Sequence, residues 1–385
     1  QSENIFPIIK KFLYTDQEIF VRELVSNAVD ATKKIQTLSR IGEYSGDVED
    51  LKVEVSIDEK KKTLTISDYG VGMTEDEIEK YITQLAFSGA TEFVEQWKDK
   101  EPEQMIGHFG LGFYSAFMVA KEVTIVSKSY KEKATAVKWN CDGTTSYSLD
   151  KGKRKKRGTD VILHLTDEDA ETYLSQWKVK ELLKKYCGFL PIPIEFEKET
   201  INNTNPLWAK KPSELKQEDY KTFFEELYPM QEAPLFHIHI NTDFPFNLTG
   251  VLYFPKINQA LDNRKDRVQL YSNQVFVTED VKDVLPEFLV LLQGVVDSPD
   301  IPLNVSRSAL QSDSNVKKIT AHISKKVSDK LSEIFKKNRA DYESKWEYLD
   351  LIVKYGMLSD EKFADRMKDH CLLKTTSDKL HTVQE

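Results

Sequence analysis

The 385-residue chain is poor in cysteine, with only Cys141, Cys187 and Cys371. They stand too far apart to form a metal-spacing motif or a disulfide framework, which favours a reducing compartment. No run of about 18 apolar residues is present, so no transmembrane helix is expected. Positive charge is not in excess: 54 Lys and Arg against 63 Asp and Glu give a net charge of −9. Nothing global therefore points to nucleic acid or an acidic membrane as partner. There is no internal repeat, and the lysine-bearing P-loop pattern is missing. What is there, 40% hydrophobic and 30% charged residues, suffices for full cores and two or three domains. The chain starts at Gln1 rather than Met and is expected to be a portion of a longer protein, with any targeting peptide out of view.

The most informative stretch is Glu23-Leu-Val-Ser-Asn27-Ala-Val-Asp30-Ala31. Glu23, Asn27 and Asp30 are spaced i, i+4 and i+7, so a helix sets them on one face. Phe20, Leu24 and Ala28 form an apolar stripe beside them, and Thr15 with Glu18 predicts a capping box at the helix start. A carboxylate and an amide one turn apart suit activation of a water and coordination of a hard cation such as Mg²⁺. The competing reading is an amphipathic helix with a solvated polar face.

Around it the pattern predicts an α+β first domain, residues 1–197, with helices on one face of a mainly antiparallel sheet. Residues 1 to about 40 are expected to be helical. Strands are expected at 53–57, 63–67, 122–129, 135–139, 146–149 and 160–165, and a helix at 172–186. A short polar linker, 198–205, leads to an α/β second domain at 206–338. Its strands are expected at 236–240, 251–254, 268–271 and 275–278, with a helix over 308–337. A further helix, 341–355, opens a small unit, 339–385, that looks unfinished.

Glycine is concentrated rather than abundant: six of the fifteen fall between Gly70 and Gly112. Asp68-Tyr-Gly70-Val-Gly72-Met73 follows a strand. A carboxylate there can accept from an amino group on a flat ligand, and the glycines let a ring approach the backbone. Gly107-His-Phe109-Gly110-Leu111-Gly112-Phe113 leads into a helix expected over 114–120, whose exposed N–H groups suit a triphosphate. A Rossmann fingerprint is rejected, because no opening βαβ unit surrounds these glycines. Gly158-Thr159 starts a strand, where the Thr hydroxyl can support Asp68 or a water. The basic run Lys151–Arg157 reads as a solvated hairpin turn, not a nucleic-acid patch. His237 and His239 lack a third ligand nearby and are not read as a zinc site. For Trp208, Phe223 and Phe224, core packing is weighed against exposed client contacts.

ExxxNxxDA, DxGxG, GxxGxG and GT, in this order and spacing, resemble the ATPase superfamily shared by gyrase, heat-shock-90 chaperones, histidine kinases and MutL. Within it the chain is similar throughout to the bacterial branch of the heat-shock-90 molecular chaperone family. Ile19-Phe-Val-Arg-Glu-Leu, Gly110-Leu-Gly-Phe-Tyr-Ser, Asn205-Pro-Leu-Trp208, Leu285-Pro-Glu-Phe-Leu and Ile301-Pro-Leu-Asn-Val-Ser-Arg307 carry that likeness. The resemblance implies an ATP-dependent chaperone with ATP/ADP and Mg²⁺ as ligands. Its partners would be unfolded or partly folded client proteins and a second copy of the full-length chain, with no nucleic acid or membrane involved. Glu23 would activate the attacking water and Asn27 would hold Mg²⁺. Asp68 would bind the adenine amino group with Gly72 and Thr159 near it, and Met73 would pack on the base. Asp30, Ala31 and Ser88 would also line the nucleotide, and Gly107, Phe109, Gly110, Leu111, Gly112 and Phe113 would wrap its phosphates. Arg307 would act as an arginine finger supplied within the chain, assisted by Asn304 and Gln311. Residues 74–106 would form a lid.

The sequence departs from the family at Phe87, where a lysine is usual. It also lacks the long acidic linker of eukaryotic cytosolic members, so a bacterial cytoplasmic or an organellar member is expected, without its C-terminal dimerisation domain. The rival is a DNA-directed ATPase of the MutL or gyrase kind, which the acidic total and Arg307 disfavour.

Overall fold

The structure is a computed structural model; it describes residues 16–83, 92, 95–96, 106, 112–144, 146–256, 268–281, 284–301, 303 and 314–385. The chain divides into two compact units, residues 1–205 with 273–276 and residues 206–272 with 277–385.

The first unit begins with helix α1 (Ile19–Arg40), in which Phe20, Leu24 and Ala28 are buried. Its start differs from the expected capping box. Thr15 lies outside the described residues, and Glu18, at the N-cap, makes no side-chain cap bond. Its carboxylate is drawn instead to Lys178, 2.7 Å away. A capping box does form at Thr74 and Glu77, at the start of the one-turn helix α2 (Glu75–Ile78).

Strands β1 (Val53–Asp58) and β2 (Thr63–Asp68) form the expected hairpin, with Val55 opposite Ile66. After α2, β3 (Ala120–Lys128), β4 (Val137–Cys141), β5 (Tyr147–Lys151) and β6 (Gly158–Leu165) follow. With β7 (Ile194–Phe196) and β8 (Glu199–Thr200) they make an eight-stranded sheet, ordered β5-β4-β3-β6-β2-β1-β7-β8. Only the β1–β7 pairing is parallel.

The helix expected at 172–186 is two: α3 (Asp167–Tyr173) and α4 (Gln176–Cys187). The Ser175 hydroxyl accepts the Lys178 N–H and restarts the helix. Helix α1 packs on α4 and β2, so the helices cover the sheet as an α+β layer. The polar stretch 199–205, expected as linker, is tied to this unit. Its β8 pairs with β7, and the Asn202 amide bonds the backbone at Leu190, Ile192 and Ile194.

The second unit opens with α5 (Gln217–Leu227) and holds a five-stranded sheet of β9 (Phe236–Thr242), β10 (Leu248–Phe254), β11 (Val268–Ser272), β12 (Val275–Thr278) and β13 (Gln293–Asp297). The order is β12-β11-β13-β10-β9. Helices α6 (Ser314–Lys337), α7 (Arg339–Ser359) and α8 (Glu361–Met367) follow. Ile319, Ile323, Val327 and Leu331 recur at helical spacing along α6 and join Leu252, Leu270 and Val296 of the sheet in one core. Trp208, Phe223 and Phe224 are buried, and the Trp208 indole N–H donates to Asp297 at 3.1 Å. These aromatics are core, not surface contacts. His237 stacks on Tyr220, and His239 Nδ1 lies 2.8 Å from the Tyr220 hydroxyl. His239 Nε2 is buried without a hydrogen-bond partner among the described residues.

Candidate active site

Period-two alternation buries Asp68. Leu64, Ile66 and Asp68 share the inward face of β2, so the carboxylate ends an apolar row. On the neighbouring strands, Ser127 ends the inward row of β3, and Thr159 lies on the inward face of β6 beside it. Three polar side chains thereby meet at the end of three adjacent strands. The Ser127 and Thr159 hydroxyls are 2.8 Å apart, and Ser127 accepts the Met73 N–H at 2.8 Å. Asp68 Oδ1 accepts the Gly70 N–H at 2.8 Å. Burial pushes the Asp68 pKa up to about 7; the Gly70 N–H and the Arg154 charge oppose the shift.

The glycines of this loop face protein backbone. A Cβ at Gly70 would stand 2.3 Å from the Ala31 carbonyl, and one at Gly72, where φ is +60°, would stand 2.0 Å from Lys128 O. Close protein packing requires glycine at both positions, apart from any ligand's approach. Ala31 O also accepts the Val71 N–H at 3.1 Å, which docks the loop on α1.

Farther towards the start of α1, Glu23 is buried beside Arg22, whose Nε and Nη2 donate to Glu23 Oε1 at 3.0 and 2.9 Å. Gly112 abuts the other oxygen: a Cβ there would lie 2.6 Å from Glu23 Oε2. Asp30 is buried and accepts the Ile106 N–H at 2.7 Å. Asn27 is exposed between them. Gly112–Met118 forms a 3-10 helix rather than the expected α-helix at 114–120. Val119 alone separates it from β3, which begins at Ala120. The Phe113 ring is buried edge-on to Tyr114, Phe117 and Trp139. Its ring is therefore part of the core.

Glu23 and Ala31 are separated by roughly 12 Å along α1 at about 1.5 Å per residue. α1 thus runs beside both the Glu23–Gly112 contact and the loop that follows Asp68. Ser88, Gly107, Phe109, Gly110, Leu111, Asn304, Arg307 and Gln311, with Phe87, lie outside the described residues. Sequence reasoning missed Ser127, Arg22, Arg154 and Lys34. Lys34 lies one turn beyond Asp30, and burial lowers its pKa. The signal for Ser127 was a lone hydroxyl in phase with Val123 and Ile125.

The tight Gly112–Glu23 contact makes a prediction. Gly112→Ala should push the Glu23 carboxylate aside, because Arg22 anchors its other oxygen. If Glu23 acts on water, turnover at saturating nucleotide should fall by up to about a hundredfold. Phosphate release measured beside calorimetric binding checks this, and an alanine variant with full turnover would remove Glu23 from that role.

Residues 14–186 match the family described as "Histidine kinase-, DNA gyrase B-, and HSP90-like ATPase". That is the class which the first unit's fold and site define. Residues 195–384 match the family "Hsp90 protein". The chain is similar to "Chaperone protein HtpG" of Porphyromonas gingivalis strain W83, 57% identical over 380 residues that cover 95% of this chain and 55% of that protein. It is 55% identical to the protein of that name from Bacteroides fragilis strain YCH46 over 399 residues, 100% of this chain and 58% of the relative. The counterpart in Desulfitobacterium hafniense is 36% identical over 386 residues, 98% of this chain and 62% of the relative. The chain belongs to the Hsp90 family. It spans little more than half the length of these curated relatives.

Proposed function

We propose that the chain is the nucleotide-binding and middle portion of an ATP-dependent molecular chaperone, a Mg²⁺-dependent ATPase that couples turnover to closure on client proteins. One observation carries the reading: a buried carboxylate and small polar groups beside the middle of α1 at Ala31, with a guanidinium-held carboxylate against a glycine near its start. In this reading Asp68 accepts the adenine amino group, with Gly72, Met73 and Thr159 around the base. Asp30 and Ala31 hold the walls of the pocket, and Gly112 and the backbone of Phe113 meet the phosphates. Glu23 orients and deprotonates the attacking water through Oε2, the oxygen that Arg22 leaves for it.

The donor set suits magnesium. Among the described residues no cluster of three His, Cys, Asp or Glu side chains could cage a metal. Mg²⁺ characteristically takes one or two protein oxygens together with substrate phosphates and waters. The exposed Asn27 amide oxygen is the group on α1 that would hold it. When bound, the ion would neutralise phosphate charge.

Ser88, Gly107, Phe109, Gly110 and Leu111 keep the phosphate and lid roles that the resemblance implies, as do Arg307, Asn304 and Gln311 at the γ-phosphate. Residues 74–106 are proposed as the lid, with domains at 1–197 and 206–338 and the start of a third at 339–385. A homodimer of the full-length protein and a cytoplasmic location belong to the same proposal. The three buried free cysteines and the bacterial relatives support that location. Among the described residues no helix is long and apolar enough to cross a membrane.

The test is ATP binding with and without Mg²⁺, with turnover compared between this chain and one extended to the relatives' length. Mg²⁺-dependent binding by both and faster turnover by the longer chain are expected. Binding by neither would end the reading.

A further inference from the structure

The run Lys151-Gly-Lys-Arg-Lys-Lys-Arg157 joins β5 to β6, and its two residue types part company. Lys151, Lys153, Lys155 and Lys156 are exposed and make no ion pair among the described residues; the Lys156 ammonium lies 5.7 Å from the Tyr69 ring centre. The two arginines turn inward. Arg154, 8% exposed, pairs with Asp160 and donates to the Asp68 carbonyl; its guanidinium lies 5.4 Å from the Tyr69 ring centre. Arg157 Nε donates to the carbonyls of Tyr69 and Gly70, at 2.9 and 3.0 Å. Its Nη1 reaches the Tyr44 hydroxyl and, at 3.2 Å, Asp47 O.

Three consecutive carbonyls, those of residues 68 to 70, are therefore capped by guanidinium donors where the β2 ladder ends. Carbonyls at such a place need donors, and fixing them fixes the peptide planes between them. Those planes aim the Gly70 N–H at Asp68 Oδ1 and the Val71 N–H at Ala31 O. A lysine ammonium has no planar fork with which to hold neighbouring carbonyls and a phenol together.

We propose that Arg154 and Arg157 are positioning residues for the purine end of the site. They hold the Asp68–Gly70 backbone so that the Asp68 carboxylate stands ready for an exocyclic amino group. The proposal rests on the reading of Asp68 given above.

The test compares two ligands by calorimetry: ADP, and the diphosphate of purine riboside, which lacks the 6-amino group. The wild-type chain should prefer ADP. Arg157→Ala should lower ADP affinity by about tenfold, the scale of one charge-assisted hydrogen bond, and leave the analogue's affinity unchanged. Arg157→Lys, which keeps the charge and one donor direction, should give an intermediate preference and remains informative if the alanine variant does not fold. Exchanging Lys153 and Lys155 together for Ala removes two charges from the same run and should leave the preference intact. Parallel weakening of both ligands in the arginine variants, or no weakening of either, would overturn the positioning role. Asp68→Asn serves as the reference: if it keeps the wild-type preference, the reading of Asp68 fails whatever the arginines do.

Discussion

Glu23→Ala should keep nucleotide binding and lose turnover by about 10²–10⁴-fold, the usual worth of a positioned general base. The expectation follows from how the carboxylate is held. It is buried and one oxygen is fixed by two donors of Arg22, so its orientation does not depend on substrate. The other oxygen lies against Gly112, at the mouth of the glycine segment. Removing the side chain takes away the proposed base and leaves the Asp68 loop, docked some eight residues along α1, untouched. Single-turnover phosphate release in the full-length protein, with affinity measured in parallel, reads both quantities. Turnover at the wild-type rate would end the assignment.

Asp68→Asn should act in opposite directions on binding and on folding. Nucleotide affinity should fall by about 1.5–3 kcal/mol, because a charge-assisted bond to the adenine amino group is lost. The free protein should become more stable at pH 8. Burial raises the Asp68 pKa from 3.8 to about 7. The folded chain therefore keeps this proton up to about pH 7, whereas the unfolded chain releases it near pH 4. The contribution of Asp68 to stability is full below pH 4, declines as pH rises from 4 to 7, and stays low above that. An amide does not titrate, so the advantage of the variant should grow across that window. Urea melts at pH 5 and pH 8 measure it, and an Asn variant less stable than wild type at pH 8 would show that the buried charge carries no cost. The ionised carboxylate is the better acceptor, so wild-type nucleotide affinity should rise through pH 7 and that of the Asn variant should not follow.

The site's skeleton was legible where periodicity carries it. The i, i+4, i+7 spacing of Glu23, Asn27 and Asp30 needed only a helix, and Leu64, Ile66 and Asp68 needed only a strand. The same rules could not separate Arg154 and Arg157 from the lysines between them. Composition describes a basic run, whereas the arginines' roles depend on carbonyls some 86 to 88 residues away in sequence. Ser127 was hidden for a similar reason: it matters through a cross-strand partner, Thr159, that alternation alone does not name.

In the fold, β13 was missed because it is a central strand. It lies between β11 and β10, every residue is buried, and Gln293-Gly-Val-Val-Asp297 shows no polar alternation. The break between α3 and α4 was missed because apolar spacing continues across it while Ser175 caps the second helix. Burial of Trp208 and Phe223 depended on long-range contacts, of which the Trp208–Asp297 bond is one.

Asp68, whose loop docks beside Ala31, and Glu23, eight residues nearer the start of α1, are proposed to serve one nucleotide. A structure of this chain with Mg-ADP tests that central claim most directly. The account predicts the adenine amino group within hydrogen-bonding distance of the Asp68 carboxylate, the phosphates beside Gly112, and the metal on the Asn27 amide oxygen. A base bound away from β2, or phosphates away from the first turns of α1, would contradict it.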